Sequence, residues 1–168
     1  MNEIEKVEKF LIDNGIKYQL LRHEAVFTCE QSRRTINVEG CAACKNLFVK
    51  DKNSNRYYLI VLESTKTANM RELAGYVGAR KFEFGSDDKL KETLGLYSGA
   101  VSPFGLLNDK YMIVNKVLLD EDIFSYKQVK FHPNDNTGTV IIYIDDLAKI
   151  LKILCRTLII VKSGNSLE

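Results

Sequence analysis

Apolar residues recur along the chain with two periods, about 3.6 residues in some segments and two in others. The longer period predicts helices over residues 3–14, 28–34, 67–77, 86–94 and 145–154. Alternation and short apolar runs predict strands over 16–22, 41–50, 57–62, 111–119, 126–131, 138–144 and 157–161, with a brief one ending at 84. Helices fall irregularly between strands, so we predict an α+β fold: a single domain with a curled mixed β-sheet or barrel-like core flanked by helices.

The segment 41–50 is the clearest element, because a polar turn joins it to a second apolar run at 57–62 and the two predict an antiparallel hairpin. Alternate side chains of a strand share a face, which places Lys45 in an otherwise apolar row. That row contains Cys41, Ala43, Leu47 and Val49. A buried ammonium is costly unless an anion compensates or its pKa falls. Lys45 therefore faces a cleft or an anion, or else it merely protects a strand edge or reaches out to solvent.

Composition limits the classes of protein. With 168 residues the chain fits one domain, which we place at residues 1–162, followed by a flexible tail at 163–168. Apolar content of 45% and charged content of 27% are ordinary for globular proteins. A net charge of +2 means that binding to a polyanion needs a local basic patch. No apolar stretch predicts a membrane span or a signal peptide, so we expect a cytoplasmic protein with reduced thiols.

Cys41 and Cys44 form a Cys-x-x-Cys that, with Cys29 and His23, allows a zinc or redox site. The strand prediction argues against both, because residues three apart in a strand point to opposite faces. We therefore expect no metal and no cofactor.

Two loops can complete a site. The loop 98–106 offers backbone N–H groups at Gly99 and a stiff end at Pro103, an arrangement that can aim donors at an anion or a developing oxyanion, although a plain surface turn looks the same. His132 ends a strand before a proline and either binds a ligand or is structural. The chain has no Gly-x-Ser-x-Gly, P-loop or dinucleotide motif. An enzyme of this sequence would act by positioning and polarising.

Five motifs occur in a fixed order: Val-Phe-Thr at 26–28, Lys-Asn-Leu-Phe-Val-Lys-Asp at 45–51, Gly-Ala-Arg-Lys at 78–81, Gly-Ala-Val-Ser-Pro-Phe-Gly-Leu at 99–106, and Phe-His-Pro-Asn at 131–134 with Asn136 and Thr139. The set resembles the YbaK/ProX-type aminoacyl-tRNA deacylases, especially the free-standing relatives of the prolyl-tRNA synthetase editing domain, the alanyl-tRNA(Pro) deacylases. This resemblance covers nearly the whole chain. It implies hydrolysis by water of the ester joining a wrong amino acid, alanine first, to the 3′-terminal adenosine of proline tRNA.

The resemblance also implies which residues act. Lys45 would meet the phosphate or ribose of the terminal nucleotide, Gly99 and its loop the reacting carbonyl and water, and His132 the aminoacyl group. Further implied substrate contacts are Phe27, Thr28, Asn46, Ala100, Val101, Ser102, Pro103 and Phe131. Strict alternation sends Asn46 to the face opposite Lys45, so we expect a twist or bulge there, or a role for Asn46 in supporting the residues that contact the substrate. Candidate tRNA contacts are Lys50, Arg80 and Lys81.

The substrate stays open at this stage. Cysteine or another small amino acid is an alternative to alanine, since Cys41 and Cys44 are not typical of these deacylases. A non-catalytic adaptor of the same fold, which binds tRNA or a synthetase without turnover, is the alternative from another class. The mischarged tRNA(Pro) acceptor end is the expected partner, prolyl-tRNA synthetase is a candidate partner, and no membrane is expected.

Overall fold

The computed structural model describes residues 1–25, 39–154 and 157–162. The helices in these ranges are α1 (Glu3–Asp13), α2 (Met70–Gly75), α3 (Asp87–Leu94), α4 (Ile144–Leu154) and two 3-10 helices, Pro103–Asn108 and Glu121–Ser125. The strands are β1 (Tyr18–Arg22), β2 (Cys41–Asp51), β3 (Tyr57–Glu63), β4 (Phe82–Phe84), β5 (Val114–Asp120), β6 (Gln128–Phe131), β7 (Gly138–Tyr143) and β8 (Thr157–Val161). The predicted helix 28–34 and tail 163–168 lie outside the described residues.

One mixed sheet organises the protein, with strand order β1-β7-β6-β2-β3-β5-β8 and β4 beside β2. The hairpin of β2 and β3 is antiparallel, as predicted, whereas β2 runs parallel to β6 and β5 runs parallel to both β3 and β8. A mixed sheet with helices placed irregularly along the chain confirms the predicted fold class. Over the described part of the chain β1 and β8 are its two ends, so the sheet is open rather than closed into a barrel.

Apolar side chains pack on both faces of this sheet. The larger cluster includes residues of α1, α3 and α4, among them Leu11 and Leu151, and it buries Phe48 of β2. The smaller cluster lies under α2 and buries Val49, the next residue of the same strand. Consecutive residues of β2 thus point to opposite faces, as the pleat requires. No described helix is long and apolar enough to cross a membrane.

Several element ends follow local chemistry. Asn2 forms a capping box with Glu5 at the start of α1, and Ser86 caps α3. The predicted helix over 67–77 is shorter, because Asn69 accepts hydrogen bonds from the first backbone N–H groups of α2. The last helix, α4, begins at Ile144, one residue before the predicted start at 145. The predicted loop at 98–106 runs into a 3-10 helix, which Ser102 caps.

Candidate active site

A gap in the sheet forms the candidate site. β2 pairs with β6 only as far as Ala43, opposite Lys130, and it meets β4 only from Val49, opposite Phe84. Between these points the described structure places no strand on that side of β2, while β3 continues on the other side. A cleft of about 300 Å³ opens at this gap. Its walls include Cys44, Asn46 and Phe48 of β2; Lys130, Phe131, His132 and Thr139; Ser98, Gly99 and Val101; and Phe84, Gly85 and Asp87.

The predicted glycine-proline loop forms one wall of the cleft. Gly99 has a φ of 95°, a conformation that side chains disfavour, and both Gly99 and Val101 line the cleft. The Ala100 N–H donates to the Tyr97 carbonyl at 3.0 Å, which closes the turn. Ala100 is fully buried behind the wall and is not a lining residue. Gly99 and Val101, together with Ser98, are therefore the residues through which this loop can present backbone amides to a ligand.

The end of the loop is buried and does not line the cleft. The Ser102 hydroxyl accepts from the Phe104 N–H at 3.2 Å and so holds the start of the 3-10 helix. Pro103 is the first residue of that helix. Ser102 and Pro103 thus support the wall from behind, and their expected contacts with substrate stay predictions.

His132 lines the opposite wall with a defined hydrogen-bonding state. Its Nδ1 lies 3.2 Å from the Gly138 carbonyl, which can only accept, so Nδ1 carries the hydrogen and donates. Burial lowers the pKa of His132; the Gly138 bond opposes this shift, and the charges of His23 and Lys130 add to it. The neutral ring leaves Nε2 as an acceptor. Such an atom can accept a hydrogen bond from water or from an α-ammonium group.

We expect His132 to titrate below the ordinary histidine value of 6.5. Folding then favours the neutral ring, so its contribution to stability is complete above about pH 6.5 and is lost as the pH falls through the lower folded-state pKa. An NMR titration of the His132 ring gives that pKa directly. The difference in unfolding free energy between wild type and His132→Gln should be constant above about pH 6.5 and should change as the pH falls from there through the folded-state pKa, as the wild-type contribution is lost. A measured pKa at or above 6.5 would contradict the assignment.

Thr139 connects the cleft to the other histidine. His23 Nδ1 lies 2.6 Å from the Glu24 carbonyl, and its Nε2 lies 2.8 Å from the Thr139 hydroxyl. The Glu24 carbonyl can only accept, so Nδ1 donates to it, and Nε2 forms a hydrogen bond with the Thr139 hydroxyl. Thr139 belongs to a motif noted in the sequence, whereas its bond to His23 could not be inferred from residues so far apart.

Asn46 and Lys45 lie on opposite sides of β2. Asn46 lines the cleft, and its Oδ1 is buried without a hydrogen-bond partner among the described residues. An unmet buried acceptor costs ~1–3 kcal/mol, which a donor from a ligand would recover. Lys45 does not line the cleft; its Nζ donates to the Lys66 carbonyl. The register with β3 continues without a shift, so the expected bulge at Asn46 is not observed.

The Lys66 side chain belongs to a buried ionic network beneath that carbonyl. Its Nζ lies 2.8 Å from Asp120 Oδ1 and 2.7 Å from Asp122 Oδ2. Asp120 is fully buried and also accepts from the Glu63 N–H at 2.9 Å. Burial alone would lower the pKa of Lys66, but the bonds to Asp120 and Asp122 and their charges raise it overall. This network fixes the carbonyl that Lys45 contacts.

Lys130 supplies a positive charge in the cleft that the sequence analysis missed. It is 7% exposed, lines the cleft and stands opposite Ala43 in the last β2–β6 pair. Burial raises the pKa of the Cys41 thiol, and the charge of Lys130 opposes that shift. The sequence did contain a signal for Lys130: it is a lysine within an apolar strand and directly precedes the Phe-His-Pro-Asn motif.

Aromatic packing makes the walls rigid. Phe48 stacks on Tyr57 with ring centroids 5.1 Å apart, and Phe131 meets the Phe104 ring edge-on at 6.3 Å. Gly85 sits so close to Phe48 that an added Cβ would lie 2.3 Å from its ring. The width of the cleft is therefore set by side chains that cannot easily shift.

The remaining predicted residues lie outside the cleft or outside the described chain. Phe27 and Thr28 lie outside the described residues. Lys50 forms an ion pair with Glu83 at 3.5 Å, and Arg80 is exposed. Lys81 is half-buried. The part of the chain that is described has no group of three or more metal-ligating side chains, and neither Cys41 nor Cys44 belongs to a disulfide.

Comparison with known proteins identifies the family to which this fold belongs. A family model for the aminoacyl-tRNA editing domain matches residues 23–150. The chain belongs to this family. An editing domain hydrolyses aminoacyl-tRNA, so membership confirms the predicted family and enzyme class.

Individual relatives of this editing domain span most of its length. The prolyl-tRNA editing protein ProX of Acetoanaerobium sticklandii is 38% identical over 82% of this chain and 83% of its own. The multifunctional Ser/Thr-tRNA deacylase ProXp-y of Escherichia coli is 25% identical over 83% of both chains. A solved candidate trans-editing enzyme for prolyl-tRNA synthetase superposes with a TM-score of 0.74 at 17% identity, covering 98% of this chain and 99% of its own. That last likeness concerns the fold alone.

Proposed function

We propose that this editing domain is a trans-editing hydrolase that removes a small, wrongly attached amino acid, alanine first, from tRNA(Pro) in the cytoplasm. The observation that carries the proposal is the convergence of Asn46, Gly99 and His132 in one cleft, although they are distant in sequence. The similarity to ProX supports proline tRNA as the carrier. Prolyl-tRNA synthetase, which would supply the mischarged tRNA, is the proposed protein partner.

The cleft suggests how each group acts. The ester carbonyl faces the amides of Gly99 and Val101, which stabilise the negative charge that develops on its oxygen. His132 Nε2 accepts a proton from the attacking water, whose oxygen bonds to the carbonyl carbon. The bond to the ribose O3′ then breaks, and that oxygen takes the proton as the free amino acid leaves. The neutral state of His132 suits it to this role.

Two groups hold the ends of the ligand. Asn46 Oδ1 accepts a hydrogen bond from the α-ammonium group, which satisfies its unmet acceptor. Lys45 leaves the Lys66 carbonyl and meets the phosphate or ribose of the terminal nucleotide, because its flexible stem can turn past the unpaired side of β2. Lys130 adds a second positive charge to the bound site.

Selectivity arises from the size of the cleft. The rigid rings of Phe48 and Phe131 limit its width, so alanine enters and the larger proline ring is excluded. This exclusion serves as a second sieve. It is needed because the synthetic site of a synthetase cannot strongly reject amino acids that are smaller than its own, so some of them are attached to the tRNA.

Serine is the second candidate for the amino acid removed. The similarity to a Ser/Thr-tRNA deacylase favours it, and so does the polar lining, because the unmet Oδ1 of Asn46 can also accept from a side-chain hydroxyl. A hydroxylated amino acid would then satisfy the same atom that alanine satisfies through its α-ammonium group.

Release of amino acid from Ala-, Ser-, Cys- and Pro-charged tRNA(Pro) tests the proposal. We expect Ala-tRNA(Pro) to be hydrolysed and Pro-tRNA(Pro) to be spared. Lys45→Ala should lower kcat/KM on Ala-tRNA(Pro) by about 10- to 150-fold, the loss of one charge-assisted contact. Lys9→Ala, at an exposed lysine of α1, is the control and should act like wild type.

Preferential release of serine would move the assignment to the second candidate. If none of the four esters is hydrolysed while tRNA(Pro) still binds with steep salt dependence, the non-catalytic adaptor replaces the enzyme. If Lys45→Ala retains full activity, Lys45 has no part in the reaction.

A further inference from the structure

An exposed aromatic ring lies on the rim of the cleft. Phe84, the last residue of β4, is 66% exposed and lines the cleft. Other large apolar side chains of the described chain are exposed, including Tyr111 and Phe124, but they are not cleft residues. Single exposed apolar residues are common on protein surfaces. The position of Phe84 next to a ligand site is what sets it apart.

The ring stands on a rigid base. Phe84 pairs with Val49 of β2, and the following Gly85 N–H donates to the Phe48 carbonyl at 2.9 Å. Phe82, on the same short strand, is fully buried and holds it to the smaller cluster. A ring on an anchored strand loses little conformational entropy when it binds a flat partner.

The charges around Phe84 favour a neutral partner over a phosphate. Glu83 precedes it in β4, and Asp87 of α3 lines the same cleft as Phe84. The nearby Lys50 is already paired with Glu83. A phosphate placed here would approach the Asp87 carboxylate without a free positive partner from Lys50, whereas the face of a nucleobase carries no charge and gains from stacking on an aromatic ring.

We propose that Phe84 is a stacking platform for the base of the terminal nucleotide, the one that carries the aminoacyl ester. This rests on the proposed function in one respect: the ligand ends in an unpaired nucleotide whose ester enters the cleft. If the ester lies between Gly99 and His132, the base of the same nucleotide lies outside the cleft. Phe84, on the rim of the cleft, is then in a position to contact that base. The contact reads the flat shape of a base rather than its sequence.

The test uses uncharged tRNA(Pro) with 2-aminopurine as its terminal base, a fluorophore quenched by stacking. Wild type should bind it and quench it. Phe84→Ala should abolish the quenching and raise Kd by about 5- to 150-fold, the loss of one base–aromatic stack. Phe84→Tyr keeps a ring and should behave like wild type. Phe124→Ala removes another exposed ring, away from the cleft, and should change neither quantity.

A tRNA(Pro) shortened by its terminal nucleotide completes the test. Wild type and Phe84→Ala should bind this RNA equally, because the base in question is absent. Unchanged quenching in Phe84→Ala, no quenching in wild type, or an equal loss of affinity for the shortened RNA would each overturn the proposal. The RNA carries no amino acid, so failure to release alanine would overturn the proposed function without affecting this result.

Discussion

Gly99→Ala is expected to lower the deacylation rate by about 100-fold or more while the protein stays folded. Gly99 holds a φ of 95° in the wall of the cleft, and a side chain in such a conformation costs ~1–3 kcal/mol. The loop relieves that strain by turning, which moves the Gly99 and Val101 amides away from the reacting carbonyl. Loss of one well-placed donor of this kind typically costs ~100- to 1000-fold in kcat. Single-turnover kinetics on the charged tRNA measures the change.

Gly15→Ala is the matched control for this experiment. Gly15 also has a positive φ, 67°, and a Cβ built there would meet nothing within 4 Å. It ends the turn after α1, away from the cleft. Both variants should lose similar stability, and only Gly99→Ala should lose activity. Equal activity in the two variants would remove the Gly99 loop from the mechanism.

Asp120→Ala is expected to lower the free energy of unfolding by about 3–5 kcal/mol, the usual cost of removing one partner from a buried ion pair. The reason is that Lys66, itself 3% exposed, would keep its charge without its most buried carboxylate. The Glu63 N–H would also lose its acceptor. Urea denaturation followed by circular dichroism measures the difference.

Two further variants make this expectation specific. Asp13→Ala breaks the exposed Lys9–Asp13 pair, whose atoms are 2.6 Å apart, and should cost less than about 1 kcal/mol. The double variant Lys66→Met/Asp120→Leu removes both buried charges and should regain most of the stability lost in Asp120→Ala. If Asp120→Ala costs no more than Asp13→Ala, the network does not hold this corner of the sheet together.

Local sequence patterns predicted most elements because local chemistry decides them. The alternation in β2 and β3, the polar turn between them and the cap at Ser86 all act within a few residues. The shortened α2 and the 3-10 helix at Pro103–Asn108 had local signals too, in Asn69 and in Ser102 followed by proline. The signal at Asn69 competed with the longer apolar pattern over 67–77, and the signal at Ser102 competed with the glycines and the proline that predict a loop.

The site was harder to predict because it depends on where strands separate. Alternation correctly put Lys45 and Asn46 on opposite faces of β2. Which face borders the cleft depends on β2 leaving β6 after Ala43, a pairing between distant parts of the chain. For the same reason the sequence did not reveal Lys130, whose place in the cleft follows from its register opposite Ala43.

The close approach of Gly85 to Phe48 has a consequence for how such a chain can diverge. Any side chain at position 85 would overlap the Phe48 ring, so it demands a smaller residue at position 48. The two positions should therefore change together among descendants of this sequence. One compensated pair of substitutions would reshape a wall of the cleft while the reacting groups stay in place, which is an economical route to a new amino-acid preference.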